Sequence, residues 1–186
     1  MVKGEGAGRM TRFNENLCVD IRPETTVDER AVWKVNRAAF PTEAEADLVD
    51  ALRKGGYGRI SLVAVRDRQI VGHIFFSRLP ILTARGAVEA VSLVPMAVMP
   101  DIQRHRIGSR LVTAGLEACR QAGQRIVVVL GHPEFYPRWG FSADLARPLR
   151  SPFDGGASWM AMELVPGALT GVTGQVAYPP PFGQFG

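Results

Sequence analysis

Between Ser61 and Leu79 the chain reads SLVAV-RDRQ-IVGHIFFSRL, two mostly apolar stretches joined by four polar residues. That pattern predicts two strands and a tight hairpin turn. VEAVSLVPMAV, residues 88–98, predicts a third long strand, and RIVVVL, residues 125–130, a short one apolar enough to be buried on both faces. LCVDIRP, residues 17–23, predicts a first strand. Helical spacing appears in three places. In TTVDERAVWKVNRAAF, Val32, Val35 and Ala39 share a face, Thr26 and Glu29 stand at capping-box spacing, and Pro41 ends the run. In TEAEADLVDALRKGG the box is Thr42 and Glu45, the face is Leu48, Val49 and Leu52, and Gly55-Gly56 is the stop. The third helix is expected over residues 107–122, with Arg110, Thr113, Glu117, Arg120 and Gln121 on one side and Leu111, Val112, Gly115, Leu116, Ala118 and Cys119 on the rest.

A strand, a helix and a strand in succession form a crossover unit, so strands 88–98 and 125–130 are expected to be parallel neighbours. The hairpin adds antiparallel pairs, which makes the fold a mixed-sheet α/β (α+β) domain. Its limits are expected at residues 17–165, after a glycine-rich polar tail over residues 1–16 and before a Pro/Gly-rich extension over residues 166–186, expected to cross the surface as irregular chain.

The net charge of +4 favours an anionic partner without choosing among nucleic acid, anionic lipid and a phosphorylated small molecule. Basic residues do not interleave with aromatic ones in a stripe, which argues against nucleic acid. No apolar run reaches the roughly 18 residues of a membrane span, and the N-terminus lacks the apolar core of a signal peptide, so a cytoplasmic protein is expected. Cys18 and Cys119 form no CxxC pair and are expected as buried thiols. His73, His105 and His132 are too scattered for a metal site, and His73 reads as a packed or hydrogen-bonded strand residue. There is neither a P-loop nor a nucleophile elbow.

Three features carry candidate chemistry. The segment Gln103 to Ser109 precedes a helix start, where backbone amides lack intrahelical partners and the helix dipole adds positive charge. With Arg104, His105, Arg106 and Arg110 it reads either as an anion site or as a solvated basic turn. Pro95 interrupts an apolar strand: either a bulge there parts this strand from RIVVVL and opens a cleft, or the strand simply ends. GHPEFYPRWGF follows RIVVVL, at the end of a buried parallel strand where α/β sheets bind ligands. Tyr136 there is either a proton donor or a packing residue.

PMAVMPDIQRHRIGSRLV followed by GHPEFYPRWGF resembles the GNAT superfamily of acyl-CoA N-acyltransferases, over residues 18–165. The ending LVPGAL-GV-G-V-YPP is similar to a branch of N-acetyltransferases within it. The superfamily motif Q/R-x-x-G-x-G/A aligns with Gln103 and Gly108, but Arg106 stands where the first glycine belongs. An arginine is compatible with that place if its φ is negative, and its guanidinium then either assists phosphate or obstructs it. The resemblance implies a centrally splayed sheet and acetyl-CoA as co-substrate, with no metal. It further implies that backbone groups of Met96, Ala97 and Val98 hold the pantetheine arm, and that the Val98 amide polarises the thioester carbonyl. Residues Arg104, His105, Arg106, Ile107, Gly108 and Ser109, with Gln103, would bind the pyrophosphate, and Tyr136 would protonate the leaving thiolate. An unidentified amine, small molecule or protein, would attack directly in a ternary complex. Glu89, on the same long strand, is the first candidate base and Glu43 the second. The acceptor pocket is expected between the first two helices, the hairpin and the late strands, and the C-terminal elements are of a kind that mediates homodimers. A non-catalytic acyl-CoA sensor or scaffold with the same fold is the alternative.

Overall fold

A computed structural model describes residues 17–153 and 155–185. The expected N-terminal tail, residues 1–16, lies outside the described residues. Among these, six strands form the main sheet in the order β1-β2-β3-β6-β7-β9: β1 Asp20–Pro23, β2 Gly58–Arg66, β3 Gln69–Arg78, β6 Val91–Val98, β7 Ile126–Leu130 and β9 Trp159–Glu163. All pairs are antiparallel except β6–β7, which is parallel, as the crossover helix α3 (Ile107–Gln121) requires. The β2–β3 hairpin turns on Asp67 and Arg68, both at positive φ (49° and 66°), the torsions of a two-residue turn that matches strand twist.

Helices α1 (Glu29–Ala39) and α2 (Ala44–Lys54) cover one face of the sheet, where Val32, Leu48, Val49 and Leu52 pack on Val63 and Phe75. Helix α3 covers the other, burying Leu111, Val112, Leu116 and Cys119. A Cβ on Gly115 would stand 2.5 Å from the Phe76 ring, so this glycine lets α3 lie close against β3. The first capping box forms one residue earlier than its spacing suggested: Thr25 N–H and Oγ1 both donate to Asp28 Oδ2 at 2.8 Å, ahead of a 3-10 turn. Arg22 clamps that carboxylate with two hydrogen bonds of 2.6 and 2.9 Å.

Two departures concern the ends of elements. The stretch before β6 is a separate short hairpin, β4 (Ile81–Thr83) and β5 (Gly86–Val88). It belongs to a second sheet ordered β5-β4-β10-β8, with β8 Leu149–Arg150 and β10 Gly174–Val176. The C-terminal extension therefore supplies a strand, and it buries Val176 and Phe182. Its tight approach to Leu82, whose carbonyl oxygen would lie 2.1 Å from a Cβ on Gly174, explains the glycine there. A four-residue helix, α4 (Ala143–Ala146), capped by Ser142, packs against β9. Cys119 lies in the core as expected, but Cys18 is exposed because the first strand begins only at Asp20. Among the described residues no helix is long and apolar enough to cross a membrane.

Candidate functional site

The site starts from Pro95. Ile74 of β3 pairs with Met96 and Phe76 with Leu93, so Val94 and Pro95 together oppose Phe75. This is a bulge of the kind a strand proline permits, and the Val94–Pro95 peptide is cis. Pairing of β6 with β7 covers only Val91–Val127 and Ser92–Val128. Beyond Ser92 the two strands separate. Met99 N–H donates to Val71 O across the β3 side at 2.9 Å. Strand alternation therefore turns the N–H groups of Met96 and Val98 the other way, into the opened gap.

Helix α3 begins at the mouth of that gap. Its first intrahelical bond runs from Arg110 N–H to Arg106 O at 3.0 Å. The amides of residues 104–109 donate to no backbone acceptor among the described residues. Arg104 and Arg106 both adopt left-handed torsions, φ 67° and 62°. Arg106 thus keeps the backbone expected of the glycine it replaces, rather than the negative φ that an arginine prefers. Each left-handed side-chain residue costs roughly 1–2 kcal/mol. The return on that strain is a concave run of amides at a helix N-terminus, an anion-binding form. Gln103 braces the loop, its Nε2–H donating to Val98 O at 3.0 Å.

A cavity of about 930 Å³ joins these parts. Met96, Ala97, Val98, Gln103, Arg104, Arg106, Ile107, Gly108, Ser109 and Tyr136 all line it. Four residues named from the sequence do not. His105 turns Nδ1 back onto the carbonyls of Gln103 and Ile102, at 2.9 and 3.2 Å. Arg110 is spent on Val19 O, at 2.6 Å, and on Leu17 O. Glu89 lies in the linker before β6, not on the strand, exposed and paired with Arg78 at 2.7 Å, whose hydrogen bonds hold its carboxyl below the usual range. Glu43 is likewise outside the lining, exposed and paired with Arg37 at 3.2 Å.

Tyr136 opens a 3-10 turn, Tyr136–Trp139, fixed to α3 by the Trp139 indole N–H, which donates to Thr113 Oγ1 at 3.0 Å. Its ring packs edge-on against Phe135 and Phe141 and lies against Gly131, where a Cβ would come within 2.3 Å. Burial pushes the phenol up to about 12, so it stays protonated across the neutral range.

The opposite end of the cavity has a different lining: Ala39 at the end of α1, Phe40 just after it, and Glu45 and Leu48 of α2, with Phe153, Tyr178 and Phe182 from the late chain. The β2–β3 hairpin, expected here, contributes none of the lining. It carries instead a buried polar chain. Asn36 Nδ2–H donates to Val32 O at 2.9 Å and lies 3.0 Å from His73 Nδ1, so that nitrogen is the acceptor and Nε2 bears the proton. Nε2 lies 3.0 Å from Ser61 Oγ, which in turn donates to Glu24, and Arg53 holds the other oxygen of Glu24 at 2.5 Å. Burial keeps His73 below its ordinary value, against the pull of Glu24. Burial also pushes Glu24 up, but the hydrogen bonds from His73 and Ser61 and the charge of Arg53 outweigh it and leave the carboxyl low. Among the described residues no group of three or more His, Cys, Asp or Glu is placed to hold a metal.

The family model for the acetyltransferase (GNAT) domain matches residues 20–143. The chain is 34% identical to the Escherichia coli protein named uncharacterized N-acetyltransferase YhbS, over 89% of this chain and 99% of that one. It is 36% identical to the E. coli protein named uncharacterized N-acetyltransferase YjhQ, over 77% and 84%. Among solved structures it superposes on E. coli YhbS in complex with CoA with a TM-score of 0.85 at 32% identity, covering 94% and 97%. A GNAT family acetyltransferase from Brucella melitensis in complex with acetyl-CoA gives 0.74 at 31%, covering 89% and 99%. Splayed strand, amide-lined helix start and whole-length likeness agree, and the chain belongs to the GNAT family of acetyltransferases.

Proposed function

We propose that the protein transfers the acetyl group of acetyl-CoA to an amine within this cavity. One observation carries the reading: the gap between β6 and β7 and the unpaired amides of residues 104–109 share one cavity, which Tyr136 also lines. A thioester arm needs edge-strand hydrogen bonds and a pyrophosphate needs convergent donors, and the cavity offers both in sequence. The crystal structures of the two similar proteins with CoA and acetyl-CoA support the same assignment.

In this reading Met96, Ala97 and Val98 hold the pantetheine arm, and the Val98 amide donates to the carbonyl oxygen as it gains charge. The amine nitrogen attacks that carbonyl, the C–N bond forms and the C–S bond breaks. The neutral amine gives up one proton to solvent as the amide forms, after an ammonium acceptor has already released one there, and the departing sulfur gains one. Tyr136 supplies the latter. A phenol pushed up to about 12 looks too weak an acid for an ordinary thiolate, whose conjugate thiol sits near 8.5. Burial disfavours the charged form of any acid, so a thiolate formed beside the phenol gains basicity as well, which narrows that difference.

The experiment is release of free CoA thiol from acetyl-CoA across a broad amine panel. Amine-dependent release supports transfer. Saturable acetyl-CoA binding without any amine-dependent release identifies the non-catalytic sensor, which the strained Arg106 in the phosphate loop keeps as the alternative.

A further inference from the structure

The charges around the cavity are distributed unequally. Arg104 and Arg106 stand at the helix start and Arg138 beside Phe135, whereas Glu45 is the lone carboxylate among the described lining residues. Glu45 makes no ion pair among the described residues. One of its oxygens accepts from Thr42 Oγ1 at 3.3 Å, which leaves the other without a partner there. A half-buried carboxylate at a cavity wall, without a cation of its own, attracts one from solution.

The surroundings of Glu45 narrow what that cation is attached to. Phe40, just past the end of α1, and Leu48, on α2, line the cavity with it, and Phe153, Tyr178 and Phe182 complete the wall. The last three form a continuous set, with Tyr178 centred 4.9 Å from Phe153, edge-on, and 4.6 Å from Phe182, tilted. Phe182 is 5% exposed, so the set is anchored in the core rather than free to collapse into the space. Aromatic faces next to a carboxylate suit an ammonium group attached to an apolar body: the rings take the body, and both they and the carboxylate attract the charge. A small hydrophilic amine would leave the rings wet, and an acceptor with its own carboxylate would meet Glu45 with like charge.

We propose that this end of the cavity takes a primary amine carried on an aromatic or bulky apolar body, drawn in as the ammonium ion by Glu45 and seated on the Phe40, Phe153, Tyr178 and Phe182 wall. The proposal rests on the acetyl-transfer reading above. It assigns the acceptor class, and Glu45 as its binding residue.

The test compares phenethylamine, ethylamine and phenylalanine as acceptors, with acetyl-CoA binding measured separately by calorimetry. Phenethylamine is expected to exceed both others in kcat/KM by at least about tenfold, in line with burial of an aromatic ring. Glu45→Gln is expected to raise its KM about tenfold with the acetyl-CoA Kd and the melting temperature unchanged, and Glu45→Asp to recover part of the loss. Ethylamine or phenylalanine matching phenethylamine overturns the proposal, as does an unaltered KM in Glu45→Gln. Turnover of some other amine with none for phenethylamine overturns it too, while leaving acetyl transfer intact. Failure of acetyl-CoA to bind would instead remove the transfer reading itself.

Discussion

At the basic end of the cavity the donors are backbone amides on one continuous stretch, Arg104 to Ser109, and on the strand edge from Met96 to Val98. At the other end the walls are side chains from α1, α2 and the chain after Arg150, brought together only by the tertiary fold. The difference has a physical consequence. A backbone site depends on torsions and tolerates many side chains, which is how Arg106 can occupy a glycine position at φ 62°. A side-chain site is defined by residue identity and is rewritten by single substitutions. In the proposed reading, the first end holds acetyl-CoA and the second the amine acceptor.

Four perturbations sharpen this contrast. The largest concerns the support beneath the acceptor end. Helix α1 is tied to β3 by Asn36 and His73, and this chain of bonds runs on to Glu24 and Arg53. Glu24→Gln breaks a largely buried ion pair and is expected to cost about 3 kcal/mol of stability in denaturant titration. It is also expected to raise the acceptor KM, because α1 carries Ala39 towards the cavity, while the acetyl-CoA Kd holds. Next, Tyr136→Phe is expected to lower kcat about 100-fold, equivalent to about 2.7 kcal/mol, without altering acetyl-CoA affinity. An unchanged kcat in a chemistry-limited assay excludes Tyr136 as the acid. Gly131→Ala pushes on the same ring and should reproduce part of that loss.

The third perturbation separates strain from binding. Arg106→Gly removes a left-handed arginine and should raise stability by about 1 kcal/mol, read as a higher melting temperature. Losing the guanidinium should weaken acetyl-CoA binding about tenfold, and tighter binding would mark the side chain as an obstruction. The mildest effect is that of pH on stability. His73 is held neutral by burial, so as pH falls through 6.5 the unfolded chain takes up a proton that the folded one does not, and stability declines. Glu24, held below its ordinary 4.5, adds a second decline as pH falls past that value. Thermal melts between pH 7.5 and 4 should show both, and His73→Gln should abolish the first.

The same contrast governs how far the molecule was legible in its sequence. The hairpin and α3 carry local patterns, β7 is a continuous apolar run, and the loop from Gln103 to Ser109 and Pro95 are contiguous signals, so this half is directly legible. The φ of Arg106 is not, because residue type argues for a negative value and only the closed loop imposes the positive one. Nothing between Val88 and Ser92 marks a break, so VEAVSLVPMAV reads as one strand that includes Glu89, yet β5 and β6 are separate and Glu89 falls between them. The partners of His73, Asn36 and Ser61, lie 37 and 12 residues away, and no local pattern connects them. The aromatic wall is likewise dispersed from Phe40 to Phe182, and strand β10 is only three residues long in a Pro/Gly-rich segment.

The most direct test of a cavity with two independently built ends is to measure the acetyl-CoA Kd and the phenethylamine KM on two variants, Arg104→Ala/Arg106→Ala and Glu45→Gln. The account predicts that the double variant weakens acetyl-CoA binding and leaves the amine KM in place, and that Glu45→Gln does the reverse. Both quantities shifting together in either protein would contradict it.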